Sequence, residues 1–203
     1  MRTPWNQLVL TAIFAAALSP TLAQTATPQS ANPGAALLAR ANSGDPAAQL
    51  QTGDIFAAGN GQARSARQLT EDYRQAAVWY RKAADQGSVA GEIRLAALYR
   101  DGRGVARDME QAAALYRRAA ERGDADAQAT LGVLYSMGQG VPKSDVEAYY
   151  WLDLAAAAKG PNQQKYAANR QMIGAHITAG ELEAVEDRVA EWLAAHPRAN
   201  GAE

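Results

Sequence analysis

Small apolar residues recur at helical spacing along most of this chain, and the pattern comes in blocks. Leu95-Ala96-Ala97-Leu98-Tyr99 leads through Gly102-Arg103-Gly104 to Ala112-Ala113-Ala114-Leu115-Tyr116. Leu131-Gly132-Val133-Leu134-Tyr135 leads likewise through Gly138-Gln139-Gly140 to Ala148-Tyr149-Tyr150-Trp151-Leu152. An earlier block keeps the order: Gly53-Asp54-Ile55-Phe56, Gly59-Asn60-Gly61, then Ala76-Ala77-Val78-Trp79-Tyr80. Leu and Tyr at i, i+4 spacing form an apolar stripe on a helix, so each block predicts a helix–turn–helix hairpin. The closing glycines Gly44, Gly87, Gly123 and Gly160 lie 43, 36 and 37 residues apart, a period that marks a repeat architecture.

The details refine this picture. Ala96 and Gly132 on the first helices, and Ala112 and Ala148 on the second, are small where two helices must touch. Gly-x-Gly supplies a left-handed cap and a tight reversal, and Asp108 and Ser144 stand where an N-cap belongs. The first repeat is longer because Gly61 to Asp72 spans eleven residues where the later repeats use four. The surplus falls near Gln62 to Leu69, with Arg64 and Arg67, and reads either as a second contact element or as a tolerated surface loop. Thr52 stands where later repeats have Leu95 and Leu131, as expected of a degenerate terminal repeat. Asn32-Pro33 opens a short helix to about Ala41. Beyond Gly160-Pro161, a helix is expected from Asn162 to about Ile177. The capping box Thr178-Ala179-Gly180-Glu181 then opens another, which ends at His196-Pro197.

The resulting fold class is all-α: an α/α solenoid of three helix–turn–helix repeats with a short N-terminal helix and C-terminal capping helices. Its predicted segments are 1–23, 24–31, 32–44, the repeats 45–87, 88–123 and 124–160, and a tail from 161 to 203. Arg2 followed by the apolar run Leu8 to Leu18, Pro20, and the small-residue step Thr21-Leu22-Ala23 reads as a secretory signal peptide cut after Ala23. Residues 24–31 are polar and aperiodic, which predicts a disordered leader. The expected mature product is periplasmic or secreted and has no membrane span, since eleven apolar residues fall short of the roughly 20 a spanning helix needs.

These blocks resemble the Sel-one-like repeat family, relatives of the tetratricopeptide repeats. Leu131-Gly132-Val133-Leu134-Tyr135 with Gly138-Gln139-Gly140-Val141 carries the first half of that family's pattern, and Ala76-Ala77-Val78-Trp79-Tyr80-Arg81-Lys82-Ala83-Ala84 the second. The resemblance covers about residues 44 to 160. It implies a right-handed superhelix whose first helices line a concave groove, and an adaptor role in protein complexes. Cysteine-rich members have been linked to β-lactam binding or hydrolysis, a branch from which this chain departs because it has no cysteine.

Composition narrows the chemistry. Lys and Arg number 20 against 21 Asp and Glu, giving a net charge of −1; nucleic-acid binding by counterion release needs a basic stripe that is missing. With no cysteine and only His176 and His196, twenty residues apart, no metal-ligand spacing or nucleophile set emerges. The acidic pair Asp124 and Asp126 opens a helix, where carboxylates favour the positive dipole end. Trp79, Tyr80, Tyr150 and Trp151 suggest a carbohydrate platform in isolation, but their repeat register assigns them to inter-helix packing. No enzyme activity, cofactor or metal is therefore expected. The expected function is a periplasmic scaffold that binds a protein or peptide in the groove, with oligomeric state open. Alternatives are a regulator of an envelope sensor kinase, or a module binding or hydrolysing peptidoglycan or β-lactams. Groove candidates are positions that vary while the packing positions recur: Gln51, Asp54 and Ala57, then Arg94 and Arg100, then Thr130, Ser136 and Met137.

Overall fold

A computed structural model describes residues 33–59 and 65–197. The expected signal peptide, leader and cleavage point lie outside the described residues, as do Asn32 and the start of the insertion. Among the described residues there are nine helices and no strand. They are α1 (Pro33–Asn42), α2 (Pro46–Ala58), α3 (Ala66–Asp85), α4 (Val89–Asp101), α5 (Met109–Glu121), α6 (Ala125–Met137), α7 (Asp145–Ala157), α8 (Gln163–Gly174) and α9 (Ala179–Ala195). Among the described residues, those up to Gly91 together with Gly102–Ala106 form one compact unit, and Glu92–Asp101 with those from Arg107 onward form a second.

In the first unit α1 packs on α2, and α2 on α3. Asp45 caps α2 by accepting from the amides of Ala47 and Ala48. The insertion does not loop as far as Leu69. Ser65 and Gln68 form a capping box, and α3 starts at Ala66. The extra residues thus lengthen the second helix by more than a turn, and residues 66–71 are exposed. Asp72, which aligns with the N-caps Asp108 and Ser144, is instead buried inside α3. A Ser-x-x-Gln start lies within the insertion and was readable as a helix signal.

In the second unit α5 packs on α6 and α6 on α7. Asp108 and Ser144 cap α5 and α7 by accepting from the Gln111 and Glu147 amides. Their own amides donate to the carbonyls of Tyr99 and Tyr135 at 3.0 Å, closing each hairpin in the same way. Gly138 caps α6 in the left-handed region. The second glycine of each step has φ near +70° and lies against the preceding repeat's second helix: a Cβ on Gly140 would sit 2.0 Å from the Met109 carbonyl oxygen, and one on Gly104 2.3 Å from the Arg74 nitrogen. That space admits only glycine.

The helix contacts are equally close. Ala112, Ala119, Ala127, Ala148 and Ala155 are fully buried, and a Cβ on Gly132 would stand 2.8 Å from Leu152 Cγ and 3.0 Å from the Ala148 carbonyl oxygen. Beyond the repeats, α8 and α9 both pack on α7. Tyr166 of α8 donates its hydroxyl to Asp126 at the start of α6, and Asn162 donates to the same oxygen at 3.2 Å. Tyr166 joins Leu152, Ala155, Ala156 and Ala129 in a buried cluster. The second helix of this tail carries the expected capping box of Thr178 and Glu181. The first is shorter than expected, ending at Gly174, three residues before Ile177.

Two predictions follow from this packing. Gly132→Leu forces bulk into the α6–α7 contact and is expected to cost about 3 kcal/mol, read as a lower urea midpoint by circular dichroism; unchanged stability would show that this contact is not tight. Burial, then the hydrogen bond to Asp126, pushes the Tyr166 hydroxyl up to about 12. The unfolded chain therefore releases this proton above pH 10 while the folded chain keeps it, so stability falls as pH rises from about 10 to about 12. Tyr166→Phe is expected to flatten that fall in melting temperature, and an unaltered slope would sink the assignment.

Candidate protein-binding surface

Superposing the hairpins by sequence register gives the outward stripe of the first helices. On α6 it comprises Asp126, Thr130, Val133 and Met137, spaced i, i+4, i+7 and i+11, so all four lie near one helical face. None is buried, and Met137 is 60% exposed, whereas Ala127, Gln128, Leu131 and Leu134 on the other side are buried. The corresponding positions are Ala90, Arg94, Ala97 and Asp101 on α4, and Ala47, Gln51, Asp54 and Ala58 on α2.

The predicted groove residues divide on this frame. Gln51 and Asp54 belong to the first unit, and Arg94, Arg100, Thr130, Ser136 and Met137 to the second. Gln51, Arg94 and Met137 are exposed on the stripe, and Thr130 is half-buried with its hydroxyl donating to the Asp126 carbonyl at 2.7 Å. Arg100 and Ser136 sit off the stripe. Asp54 and Arg100 bond to their own hairpins. Tyr80 donates to Asp54 at 2.8 Å, and Arg100 Nη1 donates at 3.4 Å to the hydroxyl of Tyr116, the register equivalent of Tyr80. Ser136 donates to the Val133 carbonyl. Repeat comparison alone did not single out Asp126 and Val133; the signal was their i, i+4 and i+3 spacing to Thr130.

The aromatic residues lie where repeat register puts them. Trp79, Tyr80, Tyr150 and Trp151 are all at most 8% exposed, so no open ring faces are offered for stacking on a sugar. Among the described residues no group of three His, Asp or Glu side chains is placed to hold a metal. His176 is exposed, and His196 stacks on Trp192 with centroids 4.1 Å apart.

A buried polar position escaped sequence reasoning. Gln49, Glu92 and Gln128 share one register and are 4%, 1% and 1% exposed. Gln49 and Gln128 each donate to a carbonyl eight residues earlier, that of Ala41 and that of Ala120, both at 3.1 Å. Gln86 also donates to Gln49 at 2.7 Å. At Glu92 the same place holds a carboxylate without hydrogen bonds. It is held by charge, with Arg118 at 2.7 Å and Arg122, the register equivalent of Gln86, at 3.7 Å. The signal was the recurrence of Gln, Glu and Gln in step with the glycines.

Recurring α/α hairpins with a fixed contact register define a helical-repeat protein. Residues 46–88, 89–124 and 125–159 match the Sel1 repeat family model, more than half of the chain, and the protein belongs to the Sel1 repeat family. No curated protein matches it. Among solved structures, a protective antigen present in uropathogenic Escherichia coli strains, displaying an SLR fold, is similar at 23% identity and a TM-score of 0.60, covering 96% of this chain and 46% of its own. A Sel1 repeat protein from Oxalobacter formigenes is 30% identical with a TM-score of 0.58, covering 68% of this chain and 53% of its own. This chain therefore spans about half the length of the solved structures it matches. The Sel1 repeat fold is generally a protein–protein interaction scaffold.

Removing Arg118 leaves a buried carboxylate facing only the more distant Arg122. Arg118→Ala is expected to cost about 3 kcal/mol, most of it regained when Glu92→Gln is added. Urea melts of the two variants check this. Equal stability of Arg118→Ala and the parent would overturn it.

Proposed function

We propose that this protein is an exported scaffold that binds a protein segment along the outward stripe of α6 in its second unit, centred on Thr130, Val133 and Met137. One observation carries the reading: α6 buries one side completely while keeping an exposed methionine and a partly exposed valine on the other. Methionine is a flexible apolar contact that adapts to a partner's shape, and Arg94 at the stripe's equivalent on α4 adds an exposed cation. Polar side chains set orientation there, and a few apolar contacts supply affinity. Binding rather than catalysis is favoured by the separation of the two histidines and by the burial of the aromatic residues. Export rests on Arg2, the apolar run Leu8 to Leu18 and the small residues before Gln24. Among the described residues no helix is long and apolar enough to cross a membrane.

The test captures partners from an envelope extract on the purified protein and on a Met137→Glu variant, with identification by mass spectrometry. A partner retained by the parent is expected to bind the variant about tenfold or more weakly. Equal retention would remove this stripe from the interface. N-terminal sequencing of the exported product is expected to begin at Gln24, and an uncleaved start would remove the export step.

A further inference from the structure

A cleft of about 560 Å³ lies among α7, α8 and α9. That volume lies within the roughly 300–1,000 Å³ of small-ligand sites. Tyr149, Arg170 and Gln171 supply its polar lining, and Ala167, Ala168 and Leu182 its apolar wall. Gly174 keeps the α8 backbone close to the tyrosine ring, for a Cβ there would stand 2.9 Å from Tyr149 Cε2.

The polar groups are held but not used up. Arg170 Nη1 pairs with Asp153, whose side chain is 14% exposed, and this fixes the guanidinium. Its Nε and Nη2 make no hydrogen bond within the described residues, and neither do the Tyr149 hydroxyl and the Gln171 amide. Tyr149 is 9% exposed as a whole residue, yet it lines the cleft and can offer its hydroxyl there. Arg170 is the sole charged residue lining the cleft, and the Nε–Nη2 edge of a guanidinium matches a carboxylate in bidentate geometry. Gln171 offers both a donor and an acceptor, the complement of one peptide unit. The alanines and Leu182 leave room for a small aliphatic side chain.

We infer that this cleft binds the C-terminus of a peptide ending in a small aliphatic residue, with Arg170 and Tyr149 on the carboxylate and Gln171 on the preceding peptide group. The site is separate from the stripe on α6 and stands or falls apart from it. Because the charges of Asp153 and Glu186 both act on Arg170 and offset its own, binding is in the weak range of transient contacts.

Calorimetric titration of the purified protein with acetyl-Ala-Ala bearing a free carboxylate is the test, with the C-terminal amide of the same peptide and free N-acetylalanine as comparisons. The acid is expected to bind, and the amide about tenfold or more weakly, as fits the loss of a hydrogen-bonded charge. Arg170→Gln should weaken the acid by a similar factor and Tyr149→Phe by a smaller one. Lys165→Ala, an exposed cation of α8 outside the cleft, should change nothing. If Arg170→Gln lowers the melting temperature, Tyr149→Phe carries the test, since its ring packing is kept. Equal binding of acid and amide, an equal loss with Lys165→Ala, or no binding at millimolar peptide would overturn the inference. N-acetylalanine binding as well as the peptide would overturn the peptide assignment.

Discussion

The contact between the two helices of a hairpin is made where side chains almost vanish, and the rest of the structure is arranged around that closeness. Gly132 meets Leu152 and the Ala148 carbonyl, and in the first unit a Cβ on Gly53 would stand 2.5 Å from the ring of Tyr80. Buried alanines line the same seams. An alanine removes little apolar area from water, with a methylene-sized group worth about 0.8 kcal/mol. A core of this kind gains from many close backbone approaches rather than from a few large side chains. The second glycine of each Gly-x-Gly step belongs to the same economy of space, for Gly104 and Gly140 lie against backbone atoms of the preceding repeat's second helix.

Such closeness leaves few ways to fix which residue faces which, and the buried polar position supplies one. Gln49 and Gln128 reach back to the carbonyls of Ala41 and Ala120. Each adds a side-chain donor to a helix-end carbonyl that already accepts a backbone amide, Gly44 on Ala41 and Gly123 on Ala120. Glu92 fills the equivalent place with a charge and draws in Arg118 and Arg122 from its own hairpin. An amide tolerates either neighbour as donor or acceptor, whereas a buried carboxylate accepts only cationic or donating partners. The middle repeat is thereby the most particular about its second helix. The buried tyrosines divide in a similar way, since Tyr80 is satisfied by Asp54 and Tyr116 by Arg100. In the third repeat Leu152 replaces the tyrosine and needs no partner.

The hairpins, their caps and their closing glycines were legible in the sequence because each depends on local rules: Asp108 and Ser144 as N-caps, Thr178 with Glu181 as a capping box, Gly138 as a left-handed stop. Less legible was anything set by a distant neighbour. The insertion read as either a contact element or a surface loop because its length broke the period, and the structure shows that Ser65 and Gln68 start a helix that continues as α3. Variation between repeats flagged Asp54 and Arg100 as groove residues, although their variation follows the partner each offers to a tyrosine. A position that varies in order to satisfy a different internal partner cannot be told from one that varies for recognition until the partner is seen. The α8–α9 tail showed its capping box, but its cleft depends on how α8 and α9 rest on α7, which no repeat register specifies.

That tail also shows why the last hairpin has to differ. Within the repeats, α6 brings Gly132 close against Leu152 and the Ala148 carbonyl of α7, whereas α8 brings Tyr166 to the seam. Tyr166 fills the space beside Leu152, Ala155 and Ala156 and anchors its hydroxyl on Asp126 at the start of α6. One large side chain with a polar tip anchors α8 near its N-terminal end, and the close approach of Gly174 to the Tyr149 ring holds its C-terminal end. The cleft lies toward the C-terminal end of α8, among Arg170, Gly174 and Tyr149. There the ion pair of Arg170 with Asp153 and that of Arg188 with Glu147 tie α8 and α9 to α7 by charge. A guanidinium held by an ion pair beside a gap keeps its remaining donors within reach of a third body.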